Sequence, residues 1–232
     1  MLSSRSHELP GKVCFLLAIY RGRLIICNVD SNSSRTASLT ATDLLQRSLT
    51  EHLEAVQATL TSQLDAIERA GALLSRTLGQ GNKVLLCGNG GSAADAQHIA
   101  AELVGRYEVQ RRAWPAIALT TDTSALTALS NDYGYDEVFA RQIQGLAVTG
   151  DLLIAISTSG KSSNIVKAVQ QAKSQGCKTL ALTGCSGEPL ASACDSALIV
   201  ASDRTARVQE AHITVGHLWC EMVDEILGGR SS

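Results

Sequence analysis

The sequence predicts an α/β fold built on a doubly wound parallel sheet, with a helical flank in front of it. Short apolar runs, such as Val84 to Cys87 and Leu152 to Ile156, end abruptly at turns rich in glycine or hydroxyl residues. A helical pattern follows each of these turns, and the strand–turn–helix unit recurs along the chain. Buried strands that alternate with helices are typical of a parallel sheet covered on both faces.

The composition fits one α/β domain with an appended helical segment. The chain has 232 residues, of which 45% are hydrophobic and 3% aromatic, so the core is expected to be aliphatic. A formal net charge of −2 with no block of like charges argues against a nucleic-acid partner. No apolar run is long enough to cross a bilayer, so no membrane partner is expected. The seven cysteines include no C-x-x-C pair, which is typical of reduced thiols in a cytoplasmic protein.

Residues 1–40 differ from the rest and are interpreted as an extension, either a small β-hairpin or disordered. Two apolar stretches, Val13 to Tyr20 and Leu24 to Cys27, flank the interruption Arg21-Gly22-Arg23. A signal peptide is disfavoured because the arginines follow the apolar run at once and no A-x-A cleavage site appears. The main domain is therefore assigned to residues 41–232.

A long helical pattern opens this domain. Leucines and other apolar residues recur at three- and four-residue steps from Asp43 onward, until Gly79-Gln80-Gly81 ends the pattern. We expect a pair of helices over residues 43–79 that covers the sheet or contacts a partner subunit.

Strands and helices then alternate to the end of the domain. The predicted strands lie at residues 84–87, 116–119, 152–156, 179–182 and 197–201. Helices are predicted after the first strand and over residues 124–129, 137–146, 164–174 and 205–227, with a polar loop at 130–134.

Two turns are candidates for binding an anion. The first is Gly88-Asn89-Gly90-Gly91-Ser92, and the second is Ser157 to Ser162, with four hydroxyl groups around Gly160. Backbone N–H groups gather at such helix starts and bind phosphate well. Helix capping is the competing interpretation, but it needs only one hydroxyl. A Walker-type nucleotide loop is excluded because the glycine five residues before Gly160 is missing.

Two pairs of ionisable or polar residues occur on predicted helices. His98 and Glu102 are one helical turn apart, a spacing that lets two side chains share a metal ion or form a salt bridge. Gln209 and His217 are on the C-terminal helix, eight residues apart. On a straight helix they are about 12 Å apart along the axis.

The motifs CGNGGS, AQHIAAEL, SNDYGYDEVF, ISTSGKSSN and RVQEAHITVGH together resemble the sugar isomerase (SIS) family. Within it, residues 43–227 most resemble the sedoheptulose 7-phosphate isomerases, also called phosphoheptose isomerases. The resemblance implies a flavodoxin-like three-layer SIS domain, assembled as a cytoplasmic homotetramer. It also implies interconversion of D-sedoheptulose 7-phosphate and D-glycero-D-manno-heptose 7-phosphate through an enediol. This reaction leads toward nucleotide-activated heptose for lipopolysaccharide.

The resemblance also implies roles for individual residues. The acid/base pair matches Glu102 and His217, and the ligands of one Zn²⁺ per subunit match His98, Glu102, Gln209 and His217. Because Gln209 and His217 are so far apart on their helix, the binding of both to one ion would require a ligand from a neighbouring subunit or a break in the helix between them. The implied substrate contacts are Asn89, Gly90, Gly91, Ser92, Glu102, Asn131, Asp132, Ser157, Thr158, Ser159, Ser162 and Gln209. Ala206 replaces an aspartate found in some members, so any help from that carboxylate is lost.

Two other functions remain open at this level. One is a non-catalytic scaffold resembling the DnaA initiator-associating protein. This alternative is less well supported, because that class loses the acid and histidine positions, whereas Glu102 and His217 are present here. The other is an isomerase of a different sugar phosphate, such as arabinose 5-phosphate, although the appended regulatory domains usual there are missing.

Overall fold

The computed structural model describes residues 14–20, 23–29 and 40–228. Predictions for the other residues of the N-terminal extension lie outside this range. The chain divides into two units, Met1–Leu45 and Gln46–Ser232. In the first unit, strands β1 (Cys14–Tyr20) and β2 (Arg23–Val29) pair in antiparallel register.

Helix α1 spans Ala41–Gly79 as one uninterrupted helix, so the prediction of a helical pair is wrong. A capping box starts it: Thr40 and Asp43 exchange hydrogen bonds between their side chains and backbone N–H groups. Gly71 lies inside the helix, at a position where a neighbouring helix packs closely against α1. A Cβ on Gly71 would lie 2.4 Å from the Met222 sulfur, so the glycine admits a neighbouring helix.

The second unit contains a five-stranded parallel sheet in the order β4-β3-β5-β6-β7, which confirms the doubly wound prediction. The strands are β3 (Val84–Gly88), β4 (Ala116–Ala118), β5 (Leu152–Ser157), β6 (Lys178–Gly184) and β7 (Ser196–Val200). The helices are α2 (Gly91–Val104), α3 (Thr123–Tyr133), α4 (Val138–Leu146), α5 (Ser163–Ser174), α6 (Leu190–Ala193) and α7 (Thr205–Val223).

Two predicted boundaries are wrong. The expected polar loop at 130–134 is mostly the last turn of α3, which Asp122 caps at its start. It is followed by a short 3-10 helix, Tyr135–Glu137. The C-terminal helix ends as an α-helix at Val223 and continues as a π-helical turn, Asp224–Gly228.

Alternate residues of each central strand enter two separate apolar cores, as the two-residue period of a strand requires. In β3, Val84 and Leu86 pack in a core formed with α1, α2 and α7. Leu85 and Cys87 pack on the opposite face with α4 and α5. The domain therefore has three layers, which confirms the predicted architecture. No helix in the described part of the chain is long and apolar enough to cross a membrane.

His212 of α7 is fully buried in this arrangement. Burial disfavours the charged imidazolium and lowers the pKa of His212 to about 4, and the nearby Thr183 backbone offsets only part of this effect. An unfolded histidine titrates near pH 6.5. Between these values the unfolded chain takes up a proton that the folded chain excludes. The free energy of unfolding should therefore fall as pH decreases, by about 2 kcal/mol between pH 7 and pH 5.

Urea denaturation of EDTA-treated protein at the two pH values tests this prediction. In His212→Gln, the free energy of unfolding should fall by about 2 kcal/mol less between pH 7 and pH 5 than it does in wild type. His52→Gln, which changes a partly exposed histidine, is the matched control and should keep it. An equal fall in wild type and His212→Gln would contradict the prediction.

Candidate active site

The two candidate anion-binding turns lie side by side at the topological switch point of the sheet. Strands β3 and β5 are hydrogen-bonded neighbours, with Gly88 paired to Ile156 at their carboxyl ends. From there the chain turns toward β4 in one direction and toward β6 in the other. Ligands of open α/β sheets bind in the crevice at such a point.

The first turn leads directly into α2 and leaves the start of this helix open. Gly90 precedes α2 with φ of 55°, and no side chain caps the first N–H groups. Ser92 is buried, and a Cβ on Gly88 would lie 2.4 Å from its carbonyl oxygen. A side chain at position 88 is therefore incompatible with this tight turn, in which the Ser92 and Ala93 N–H groups donate to the Asn89 and Gly90 carbonyl oxygens at 3.0 and 3.1 Å.

The second turn places its hydroxyl groups at the start of α5. The Oγ atoms of Ser157 and Ser162 are 3.2 Å apart, and Ser159 Oγ accepts a bond from the Lys161 N–H at 3.3 Å. Ser162 is the N-cap residue of α5, yet its side chain makes no capping hydrogen bond. The capping interpretation thus fails at the one position where it applied.

Gly160 allows this second turn to form. Its φ of 66° is in the left-handed region, and an added Cβ would overlap the Gly187 carbonyl group. Thr158 is held from the same side, because its carbonyl oxygen accepts a hydrogen bond from the Gly184 N–H at 3.0 Å. The turn is therefore fixed by the segment that follows β6.

Asn89 connects the two turns through partners that the sequence analysis missed. Its side-chain oxygen accepts hydrogen bonds from Asn164 Nδ2 at 3.0 Å and from the Tyr135 hydroxyl at 2.9 Å. Asn131 and Asp132 lie on the exposed last turn of α3, joined to each other at 2.9 Å. They stand shortly before Tyr135 in sequence, and Tyr135 holds this segment to the crevice.

Helices α2 and α7 pack in parallel, and glycines allow them to approach closely. A Cβ on Gly91 would lie 2.2 Å from Gln209 Nε2, and one on Gly216 would lie 2.8 Å from Ile99 Cδ1. Gln209 therefore sits beside the first turn of α2. The continuous α7 excludes a helix break between Gln209 and His217.

Further along the same helix pair, three predicted residues meet. His98 Nε2 is 2.9 Å from His217 Nε2 and 3.3 Å from Glu102 Oε1. One ligand atom from each of the three residues lies within 4.8 Å of the others. Tyr107 stacks on the His217 ring with 5.5 Å between centroids and an interplanar angle of 29°. Neither this tyrosine nor its role was apparent from the sequence.

The chemistry of these three side chains suits a metal ion. Two imidazole nitrogens and a carboxylate oxygen form a common catalytic zinc set that leaves a fourth position open. Tetrahedral Zn²⁺ with bonds of about 2.0–2.1 Å separates its ligand atoms by about 3.3 Å. The observed distances of 2.9 and 3.3 Å are close to that separation.

Asp95 is a further ionisable residue on α2 that the sequence analysis missed. It is buried, and burial raises the pKa of its carboxyl group to about 6, although His98 opposes part of this shift. It sits three residues before His98 in a helix whose apolar periodicity gave no reason to select it.

Comparisons with known proteins identify the family to which this chain belongs. A model of the SIS domain family matches residues 46–184. A phosphoheptose isomerase of Aliarcobacter butzleri is 53% identical over 176 residues, which cover 76% of this chain and 93% of the relative. The structure of a phosphoheptose isomerase from Francisella tularensis matches with a TM-score of 0.78 and 38% identity, covering 80% of this chain and 99% of that chain. A phosphoheptose isomerase structure from Neisseria gonorrhoeae has a TM-score of 0.76 and 41% identity, covering 81% and 100%.

Proposed function

This chain belongs to the SIS domain family and, within it, to the phosphoheptose isomerases; we propose that it interconverts D-sedoheptulose 7-phosphate and D-glycero-D-manno-heptose 7-phosphate. The observation that supports a catalytic role best is the meeting of His98, Glu102 and His217. An aldose–ketose isomerase moves a proton between two adjacent carbons through an enediol. A carboxylate and a neutral imidazole held together are suited to that transfer.

We assign the proton transfers to Glu102 and His217. The Glu102 carboxylate would remove the proton from one carbon and return it to the next, while His217 would exchange a proton with the neighbouring oxygen. Both side chains are partly exposed, so a substrate can reach them. Each such transfer by a positioned group accelerates a reaction by about 10²- to 10⁴-fold.

The substrate phosphate would bind at the turn Ser157 to Ser162. Its hydroxyl groups and the N–H groups at the start of α5, which no side chain caps, are neutral hydrogen-bond donors. Hydrogen bonds from such donors to a phosphate dianion are charge-assisted and therefore stronger than bonds between neutral groups. The first turn, at the start of α2, would hold the sugar beside it through Asn89, Gly90, Gly91 and Ser92.

Zinc fits the group formed by His98, Glu102 and His217. When bound, Zn²⁺ supplies a Lewis acid that polarises a carbonyl oxygen. The chain's own contribution is to orient the two imidazole rings and the carboxylate, with Tyr107 stacked on one ring. Gln209 lies beside the first turn of α2 on an unbroken α7, so it would contact the substrate or complete the ligand group of a neighbouring subunit.

We extend the proposal to a homotetramer with sites shared between subunits. His98 and Glu102 follow Gly91 by seven and eleven residues, so they lie about 10–16 Å along α2 from the turns. That separation is at the limit of a seven-carbon sugar phosphate, so turns from one subunit would work with the ligand group of a neighbour. The exposed side chains of Leu49, Leu53 and Leu64 on α1 offer apolar surface for assembly.

We place this reaction in the cytoplasm, on the way to nucleotide-activated heptose for surface polysaccharide. Cys87, Cys177 and Cys220 are free and buried in the described structure, as expected in a reducing compartment. The same environment provides phosphorylated sugars.

An assay of the purified protein with sedoheptulose 7-phosphate tests the proposal. We expect formation of the aldose phosphate, loss of turnover after treatment with a chelator, and recovery when about one Zn²⁺ per subunit is restored. Arabinose 5-phosphate, offered in parallel at equal concentration, should be a much poorer substrate. Absence of turnover with the heptose phosphate in zinc-loaded protein would refute the assignment.

A further inference from the structure

A buried ion pair links the C-terminal ends of α2 and α7, the two helices that carry the candidate catalytic residues. Arg111 Nε donates to Asp224 Oδ1 at 2.6 Å, and their side chains are only 1% and 5% exposed. Arg111 belongs to the segment that follows α2, and Asp224 directly follows α7. The pair therefore joins two helices through residues that are far apart in sequence.

Arg111 also binds carbonyl groups at the C-terminal end of α2. The last carbonyl groups of a helix have no partner within it, and many helices solve this with a left-handed glycine. Gly105 follows α2, but its φ of −79° is not left-handed. Instead, Arg111 donates to the Glu102 carbonyl at 2.8 Å and to the Leu103 carbonyl at 2.9 Å. Its positive charge also suits the negative end of the helix dipole.

Asp224 holds the rest of the connecting segment. Its second carboxylate oxygen accepts hydrogen bonds from the backbone N–H groups of Glu108 at 3.2 Å and Val109 at 3.4 Å. Tyr107, which stacks on His217, is the residue immediately before them. The carboxylate thus fixes the segment that carries this aromatic contact.

We propose that Arg111 and Asp224 are a positioning pair, which sets Glu102 and His98 on α2 against His217 on α7. The inference rests on the proposed function for the meaning of that geometry. Arg111 binds the backbone of Glu102 itself, so a change in this cap moves the carboxylate directly. The pair has no contact with substrate in this assignment and acts only through the residues it holds.

A purely structural role is the alternative, and the two make different predictions. Buried ion pairs often add little to stability, because desolvation offsets their attraction. A lysine at position 111 keeps the charge but cannot reproduce the planar fork that reaches Asp224 and two carbonyl groups together. Arg111→Lys should therefore change the placement of Glu102 and His98 relative to His217 while lowering the free energy of unfolding only slightly.

The test compares kcat, KM and zinc affinity of the zinc-loaded oligomer for wild type and Arg111→Lys. We expect kcat to fall about 10- to 100-fold and zinc affinity to fall about 10-fold, as when other supporting contacts of metal ligands are lost. KM should stay within about threefold, because the phosphate turns are untouched. Asp224→Asn, which keeps the side-chain shape, should show smaller changes of the same kind in kcat and zinc affinity. If Arg111→Lys does not fold, Asp224→Asn takes its place in the comparison.

Lys83→Met is the matched control, since Lys83 pairs with the buried Asp151 at 2.6 Å and joins strands β3 and β5 rather than α2 and α7. It should lower the melting temperature without changing kcat or zinc affinity. Wild-type kcat and zinc affinity in both Arg111→Lys and Asp224→Asn would overturn the inference. If wild type itself fails to isomerise the heptose phosphate, the proposed function fails, and the zinc affinities still decide whether the pair positions the ligands.

Discussion

Replacement of Glu102 by glutamine should lower kcat by about 10²- to 10⁴-fold, the usual contribution of a general acid or base. The amide has nearly the shape of the carboxylate but cannot accept a proton at neutral pH. KM should remain within about threefold, because the turn Ser157 to Ser162 would hold the phosphate, and the first turn the sugar, independently of Glu102. Steady-state kinetics with sedoheptulose 7-phosphate measures both constants.

Two further measurements separate the roles of this carboxylate. The zinc content of Glu102→Gln shows whether turnover is lost with the metal retained, as a base requires, or lost together with it. Glu221→Gln is a suitable control, because Glu221 is an exposed carboxylate on α7 one turn after His217. Turnover near the wild-type rate in Glu102→Gln would remove this residue from the mechanism.

The double substitution Ser157→Ala with Ser162→Ala should raise KM about 100-fold or more. Each hydroxyl would donate to a phosphate dianion, and hydrogen bonds to charged groups contribute about 1.5–3 kcal/mol each. Both serines are changed together because their Oγ atoms are 3.2 Å apart and one can substitute for the other. kcat at saturation should change much less, since the acid/base residues are intact.

Ser163→Ala provides a control directly after the same turn, at the first residue of α5. The Ser163 hydroxyl donates to Asp136 instead of facing the crevice, so its loss should leave KM near the wild-type value. Inhibition by inorganic phosphate gives an independent measure that does not depend on turnover. Unchanged KM and unchanged phosphate inhibition in the double variant would rule out this turn as the phosphate site.

The parts of the fold that depend on local pattern could be predicted from the sequence. The apolar run at β3, the glycines after it and the helix formers of α2 define a strand, a turn and a helix from nearby residues alone. His98 and Glu102 could be paired for the same reason, because four residues along a helix bring side chains to one face. The structure places these two side chains 3.3 Å apart.

Features that depend on distant residues could not be predicted. The helical pattern over residues 43–79 did not show whether it forms one helix or two, and the close approach of Met222 to Gly71 inside a single α1 became apparent only in the structure. Tyr135 and Asn164 show no motif of their own, and their role appears only when Asn89 lies between them. Arg111 and Asp224 are separated by 113 residues, and neither has a pattern that points to the other.

The cap on α2 has a consequence for the order in which the protein matures during synthesis. Domains emerge from the ribosome with their N-terminal parts first, so α2 is made well before α7. Until α7 has been translated and has docked, Arg111 has no carboxylate partner and the His217 ring is missing. Because α7 supplies Val208, Val215 and Trp219 to one of the two cores, the domain is expected to complete its folding, and to acquire an ordered ligand group, only when α7 closes against α2. Metal capture would then be one of the last events of biogenesis.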